Sequence, residues 1–234
     1  GAIPSDPYIG LFASCTDAEI KNLFVTGNIS LTTGGSFFNP NIYVGGIVAN
    51  STNSTLENVH FSGNINVTTS NDNNSWIGGI VGKANNNTQI LLSSNTAPIT
   101  TNVESMIGST KAGGICGELD GIIQNCYNMG DVLATAATES PYAGGITGKN
   151  NATIIKSYNS GKVQAEGSDF SLSDVYAGGI AAIGETSSSI SDCAVMSPEI
   201  NVSIGWINSG YKYIIANGGN KSNNISINSI LGSP

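Results

Sequence analysis

The chain has 234 residues, only 10% of them charged, and a net charge of −8, with lysine as its sole basic residue type apart from one histidine. Without arginine or a basic face, nucleic-acid binding and bidentate recognition of carboxylate or phosphate are excluded. No apolar run reaches the roughly 18 residues of a membrane span. The 39% hydrophobic content, rich in Ile and Val, argues for a packed core and against disorder.

Read from the N-terminus, one short signature returns. It is worn at 8–13 (YIGLFA), then full at 44–49 (VGGIVA), 77–82 (IGGIVG), 112–117 (AGGICG), 143–148 (AGGITG) and 177–182 (AGGIAA), and worn again at 213–217 (YIIAN). The glycine pairs are Gly45 and Gly46, Gly78 and Gly79, Gly113 and Gly114, Gly144 and Gly145, and Gly178 and Gly179, with first members 33, 35, 31 and 34 residues apart. A fixed period of this length marks a stacked repeat whose end copies are altered to cap it.

Between the glycine pairs, further positions recur in order. An aliphatic position reads Ile20, Leu56, Ile90, Ile123, Ile154 and Ile190, followed three residues on by Leu23, Val59, Ser93, Cys126, Ser157 and Cys193. Next come Gly27, Gly63, Ala97, Gly130, Gly161 and Ser197, then Ile29, Ile65, Ile99, Val132 and Val163. Gly, Asn and β-branched residues are poor helix formers, and the apolar residues do not follow a 3.6-residue period. The pattern predicts an all-β chain: a right-handed parallel β-helix of about seven coils with three short strands per coil. Residues 1–234 read as one solenoid domain, with a worn start at 1–13, regular coils over 14–197, and a worn coil and cap over 198–234. Variable stretches at 30–43, 67–76, 100–111, 133–142 and 164–176 fall at one place in each unit. They would project from a single edge, either as tolerated insertions or as a recognition surface.

The segments GGIVG and AGGITG, with IIQNCYNMG and IIKSYNSG after later glycine pairs, resemble the GLUG motif repeat over residues 8 to about 200. Such repeats occur in bacterial extracellular and cell-surface proteins, and in immunoglobulin-A-cleaving metallopeptidases outside the catalytic domain. The resemblance implies a secreted or surface-attached module with adhesive or spacer duties and transfers no catalytic residue. No signal segment opens the chain, and Gly1 reads as the start of a piece trimmed from a longer precursor, with any signal or anchor elsewhere.

Candidate sites are few. Cys126 and Cys193 share a column but are separated by Ser157, and two coil spacings exceed disulfide reach, so all four cysteines read as unpaired, these two as small core residues. His60 shares a column with Phe24 and reads as a stacking residue. Lys83, Glu118 and Lys149 follow successive glycine motifs and form an alternating ladder that fixes register. The carboxylates, including Glu118 with Asp120 and Asp169 with Asp174, lack an acidic partner in the same column of the next coil, which weighs against a carbohydrate-active enzyme. The SNDNNSW segment at 70–76 hints at a calcium loop, but Lys83 stands where the bidentate Glu is needed. No metal and no cofactor is implied.

The best functional candidates are the aromatics two residues before each glycine pair: Tyr43, Trp76, Tyr142, Tyr176 and, in the last copy, Tyr211, with Lys111 in the same column. They read as a corner stack or as a binding stripe. Strict alternation places them inside with Ile47, Ile80, Ile115, Ile146 and Ile180, and a bend at the glycines would turn them out. Tyr127 and Tyr158 form a second, structural stack. Asn-x-Ser/Thr triplets at Asn28, Asn50 and Asn151 matter only in a eukaryotic host. The expected function is therefore a monomeric, non-catalytic extracellular or cell-surface scaffold that binds glycan or host matrix protein, neither binding nucleic acid nor inserting into a membrane. The alternatives are a carbohydrate-active β-helix enzyme and a passive spacer in a larger surface protein such as a protease.

Overall fold

The computed structural model describes residues 6–33, 40–70, 74–104, 108–168, 173–204 and 209–226. All regular structure among them is β-strand, and their strand ladders are parallel and join residues one coil apart, as in Tyr43↔Trp76 and Ile123↔Ile154. The β-solenoid expected from the repeat is present. One sheet holds seven rungs: Tyr8–Ile9, Ile42–Gly45, Ser75–Gly78, Thr110–Gly113, Pro141–Gly144, Val175–Gly178 and Gly210–Tyr213. Seven rungs are separated by six turns, so the solenoid makes about six turns where seven coils were expected.

The number of strands per turn rises along the chain, from the expected three in the turn that opens at Ile42 (Ile42–Gly45, Val48–Thr52 and Thr55–Thr69) to four in each of the next two and five from Pro141 on. In the turn after Pro141–Gly144 these continue as Thr147–Asn150, Thr153–Ile155, Tyr158–Asn159 and Val163–Gly167. The extra divisions come from corners. Asn22, Asn58, Leu92, Asn125, Lys156, Asp192 and Asn223 occupy one corner column, all at φ between 48° and 55°. Asn tolerates this left-handed conformation best, which is why it recurs there. The first residues of the predicted insertions also belong to strands: Ile99–Val103, Val132–Ala136 and Val163–Gly167 pair in register. The variable stretches are correspondingly shorter.

The interior is built of stacked aliphatic columns. Leu56, Ile90, Ile123 and Ile154 are 0% exposed, as are Ile47, Ile80, Ile115, Ile146 and Ile180. Each such side chain contributes roughly 1.5–3 kcal/mol, largely offset by chain ordering. The glycine pair has a steric cause. A Cβ on the first glycine would collide with the carbonyl oxygen three residues on, as at Gly113 with Cys116. A Cβ on the second would strike both the next coil's backbone and an interior side chain, as at Gly114 with Gly145 and Asn128.

That interior side chain belongs to a buried ladder. Asn95, Asn128 and Asn159 are 0% exposed. Asn95 Nδ2 donates to Asn128 Oδ1 at 2.9 Å, and Asn128 Nδ2 to Asn159 Oδ1 at 2.8 Å. Each amide also closes its own corner; Asn128 Nδ2 donates to Gly130 O at 2.7 Å and its Oδ1 accepts from Gly130 N at 3.3 Å. Phe61 and Val195 occupy the same column at its two ends. The neighbouring Ser/Cys column is likewise polar in use. Val59 N donates to Ser93 Oγ, Ser93 N to Cys126 Sγ and Cys126 N to Ser157 Oγ, each serving a corner amide of the coil before. All four cysteines are free, with Cys116, Cys126 and Cys193 buried, and burial pushes the Cys126 thiol up to about 12.

Candidate functional site

The aromatic column lies outside the aliphatic core. In Ile42–Gly45, Ile42 and Val44 are 0% exposed and point inward, so Tyr43 between them points out. The glycine bend accounts for this: it reverses the alternation that, carried straight through to Ile47, would have placed Tyr43 inside. The register is continuous, Tyr8↔Tyr43↔Trp76↔Lys111↔Tyr142↔Tyr176↔Tyr211.

The rings lie face on face. Tyr8 and Tyr43 are 4.7 Å apart, Tyr43 and Trp76 4.8 Å, Tyr142 and Tyr176 5.1 Å, and Tyr176 and Tyr211 5.1 Å, all within 17° of parallel. Ring faces are therefore spent on one another, and the column offers solvent its edges and hydroxyls. Burial, reinforced by the charges of Tyr8, Asp6 and Glu118, pushes the Tyr43 hydroxyl up to about 12.

The charged ladder runs beside this column. Lys83, Glu118 and Lys149 are in register, as the sequence implied. The strands carrying them press against the strands of the aromatic column: a Cβ on Gly117 would meet the Ile77 and Lys111 backbones, and one on Gly148 the Ala112 backbone. Both arrays thus meet at Trp76, which is 7% exposed. Lys83 Nζ lies 4.5 Å and Lys111 Nζ 5.0 Å from its ring centroid. Trp76 Nε1 donates to Glu118 Oε2 at 2.5 Å, and Asn151 Nδ2 to Glu118 Oε1 at 3.2 Å. Glu118 thus turns to Trp76 and Asn151, while the ion pair of Lys149 is with Glu185 at 2.9 Å.

The electrostatics follow from burial. Lys111, 8% exposed, donates to Ser109 Oγ at 2.8 Å and Asn74 Oδ1 at 3.3 Å, and burial outweighs the pull of Glu118 to lower its ammonium to about 8. For Glu118, burial raises the carboxyl, but the Trp76 hydrogen bond and the charges of Lys111, Lys83 and Lys149 together hold it below its ordinary value.

The other candidates are placed as follows. Phe24 and His60 stack at 4.5 Å, and His60 bonds Ser94 Oγ and Asn58 Oδ1. Tyr127 and Tyr158 stack at 5.1 Å. Asn50 accepts from Asn85 across coils, as Asn151 donates to Glu118, whereas Asn28 is exposed. Residues 71–73 of the proposed calcium loop and Asp169 lie outside the described residues. Among the described residues no helix is long and apolar enough to cross a membrane. The Trp76–Glu118 bond was missed in the sequence because it joins residues 42 apart on two different ladders; the signal for it was a Trp and a Glu on adjacent columns.

Neither the search of curated proteins nor that of solved structures finds a match. The family model of the GLUG motif matches residues 40–68, which span most of one turn, from Ile42–Gly45 through nearly all of Thr55–Thr69. The resemblance read from the later glycine copies is thereby borne out on the coil that opens with VGGIVA, and the chain is a repeat module carrying a GLUG motif.

Proposed function

We propose that the chain is a non-catalytic extracellular or cell-surface scaffold that binds glycan or host matrix protein. Its recognition face is the outward column of Tyr43, Trp76, Tyr142, Tyr176 and Tyr211 together with Lys83. The observation that carries this reading is the column itself, aimed away from the core and aromatic at six of its seven rungs, with Lys111 between Trp76 and Tyr142. Because the ring faces are stacked on one another, the ligand is met by ring edges, tyrosine hydroxyls and the Lys83 ammonium, an array suited to the hydroxyls and carboxylates of an extended glycan or peptide.

The test is a titration of the folded chain against a panel of glycans and matrix proteins. Saturable binding that Tyr142→Ala plus Tyr176→Ala weakens at least about tenfold, roughly 1.4 kcal/mol, supports the proposal. Binding to no member of the panel, or binding indifferent to that double substitution, refutes it. The second reading is a passive spacer within a larger surface protein. It is favoured by the self-sufficiency of the coil stack, in which the columns that repeat most regularly are interior Ile, Gly and Asn.

A further inference from the structure

The outward column holds one residue that is not aromatic. Lys111 stands between Trp76 and Tyr142, and it is the only one of the eight lysines that is buried. It has no counter-ion: among the described residues the ion pairs belong to Lys21, Lys149 and Lys162. Glu118, Lys83 and Lys149, the charged groups that face it, act on it only through space. A buried ammonium without a carboxylate partner is costly, and burial lowers this one to about 8.

The lysine nitrogen sits against a carboxamide. Asn74 and Ser109 come just ahead of the paired strands Ser75–Gly78 and Thr110–Gly113, so they hold equivalent places one coil apart. Lys111 Nζ donates to Asn74 Oδ1 at 3.3 Å and to Ser109 Oγ at 2.8 Å. The same Oδ1 accepts from Ser109 Oγ at 2.9 Å and from Ser109 N at 3.3 Å. Three donors on one oxygen polarise the carboxamide. Two of them, the N–H and O–H of Ser109, remain to stabilise charge on Oδ1 if the lysine nitrogen turns to the carbon. With a C=O bond of about 1.2 Å, that nitrogen is no more than about 4.5 Å from Asn74 Cγ, a gap that rotation of the flexible lysine stem can close.

We propose that Lys111 and Asn74 condense into an isopeptide bond, made by the folded chain itself, that ties two adjacent coils together. The neutral amine adds to Asn74 Cγ, forming the Nζ–Cγ bond, while Oδ1 takes up the carbonyl electron pair between the two Ser109 donors. One proton passes from Nζ, which Ser109 Oγ already contacts, to Nδ2; the Cγ–Nδ2 bond breaks and ammonia leaves. An amine and a carboxamide become a substituted carboxamide and ammonia, so the step consumes no oxidant, cofactor or water. The product puts a neutral amide where an unpaired cation was buried, which removes the cost of that burial. It spans the rungs Ser75–Gly78 and Thr110–Gly113 in the middle of the stack, in a chain whose four cysteines are free. A covalent tie between coils thus arises without a disulfide. Chain that has not reacted keeps the titrating Lys111 ammonium. The bond is independent of the recognition proposed for the aromatic column.

The experiment is mass spectrometry of the folded full chain after incubation at pH 6 and at pH 9. The bond lowers the intact mass by one ammonia, about 17 Da. A protease that cuts after lysine then fails at Lys111, and segments 22–83 and 84–149 are recovered as one branched peptide. Because the neutral amine is the reacting form, the bond accumulates roughly a hundredfold faster at pH 9 than at pH 6. Ser109→Ala slows it about tenfold or more, and Lys111→Met and Asn74→Ala each keep their full mass. Full mass in the folded wild type after prolonged incubation at pH 9 overturns the proposal. Loss of ammonia with cleavage at Lys111 intact also overturns it, because that result marks a succinimide at Asn74 and not a cross-link. The same mass loss in Lys111→Met overturns it as well. The wild-type digest decides the question by itself where a variant fails to fold.

Discussion

Replacing Asn128 with valine removes the middle of the buried amide ladder while roughly preserving its shape; valine already stands in this column at Val195. Four hydrogen bonds disappear: those to Gly130 O and Asn159 Oδ1, and those from Asn95 Nδ2 and Gly130 N. The two side-chain partners keep a second bond each: Asn95 Nδ2 still donates to Ala97 O, and Asn159 Oδ1 still accepts from Gly161 N. The N–H and C=O of Gly130 lose their partner in a dry interior, at about 1–3 kcal/mol each. With partial losses at Asn95 and Asn159, the total is about 3–5 kcal/mol, a large share of the roughly 5–15 kcal/mol that stabilises a folded domain. At about 2–4 °C per kcal/mol, Tm falls by about 6–20 °C in a circular-dichroism melt. A fall of less than about 2 °C would mean that the amides are replaceable by apolar contact, refuting the claim that their hydrogen bonds stabilise the coil stack.

Three further outcomes follow from the same geometry. Leu92 sits at φ 50° and is half exposed in a column where Asn is the usual occupant; Leu92→Asn relieves left-handed strain and raises stability by about 0.5–1 kcal/mol in urea melts, whereas no gain would contradict the strain argument. Burial lowers the Lys111 ammonium from 10.5 to about 8, so between those pH values the unfolded chain binds more protons than the folded one, and this group makes stability rise with pH. The urea midpoint of the wild type should therefore gain on that of Lys111→Met between pH 7.5 and about 9.5, and a constant difference would refute the assignment. Gly114→Ala forces a Cβ into Asn128 and the Gly145 carbonyl, and should cost more than about 4 kcal/mol or abolish folding, read by expression and melting.

The features that were legible in the sequence are those that repeat in one dimension. The spacing of Gly45, Gly78, Gly113, Gly144 and Gly178 gave the coil period, and column counting gave the Phe24–His60 and Tyr127–Tyr158 stacks and the Lys83–Glu118–Lys149 register. Corners were harder to see. A left-handed Asn at 22, 58 or 125 looks like any other Asn in an Asn-rich chain, and Leu92, Lys156 and Asp192 break the column's identity while keeping its conformation. The buried ladder escaped notice because Asn is ordinarily a surface residue, although Asn95, Asn128 and Asn159 recur two residues before Ala97, Gly130 and Gly161. The direction of Tyr43 depended on a bend that alternation alone could not supply, and the Trp76–Glu118 contact on two ladders that approach only because Gly82, Gly117 and Gly148 have no side chain.

The whole account rests on coils stacked in parallel with like positions superposed, and paired spin labels test this directly. In a Cys15→Ser background, matching Ser51 of the next rung, nitroxides are placed through Tyr127→Cys and Tyr158→Cys, and in a second protein through Tyr127→Cys and Ala194→Cys. Positions 127 and 158 are register neighbours, and 194 is the next rung beyond 158. With rungs about 4.8 Å apart, the first pair should show strong dipolar broadening and the second, at about 10 Å between backbones, a weaker effect. A 127/158 spectrum equal to the sum of the two single-label spectra would contradict the stacked register and, with it, every column described for this chain.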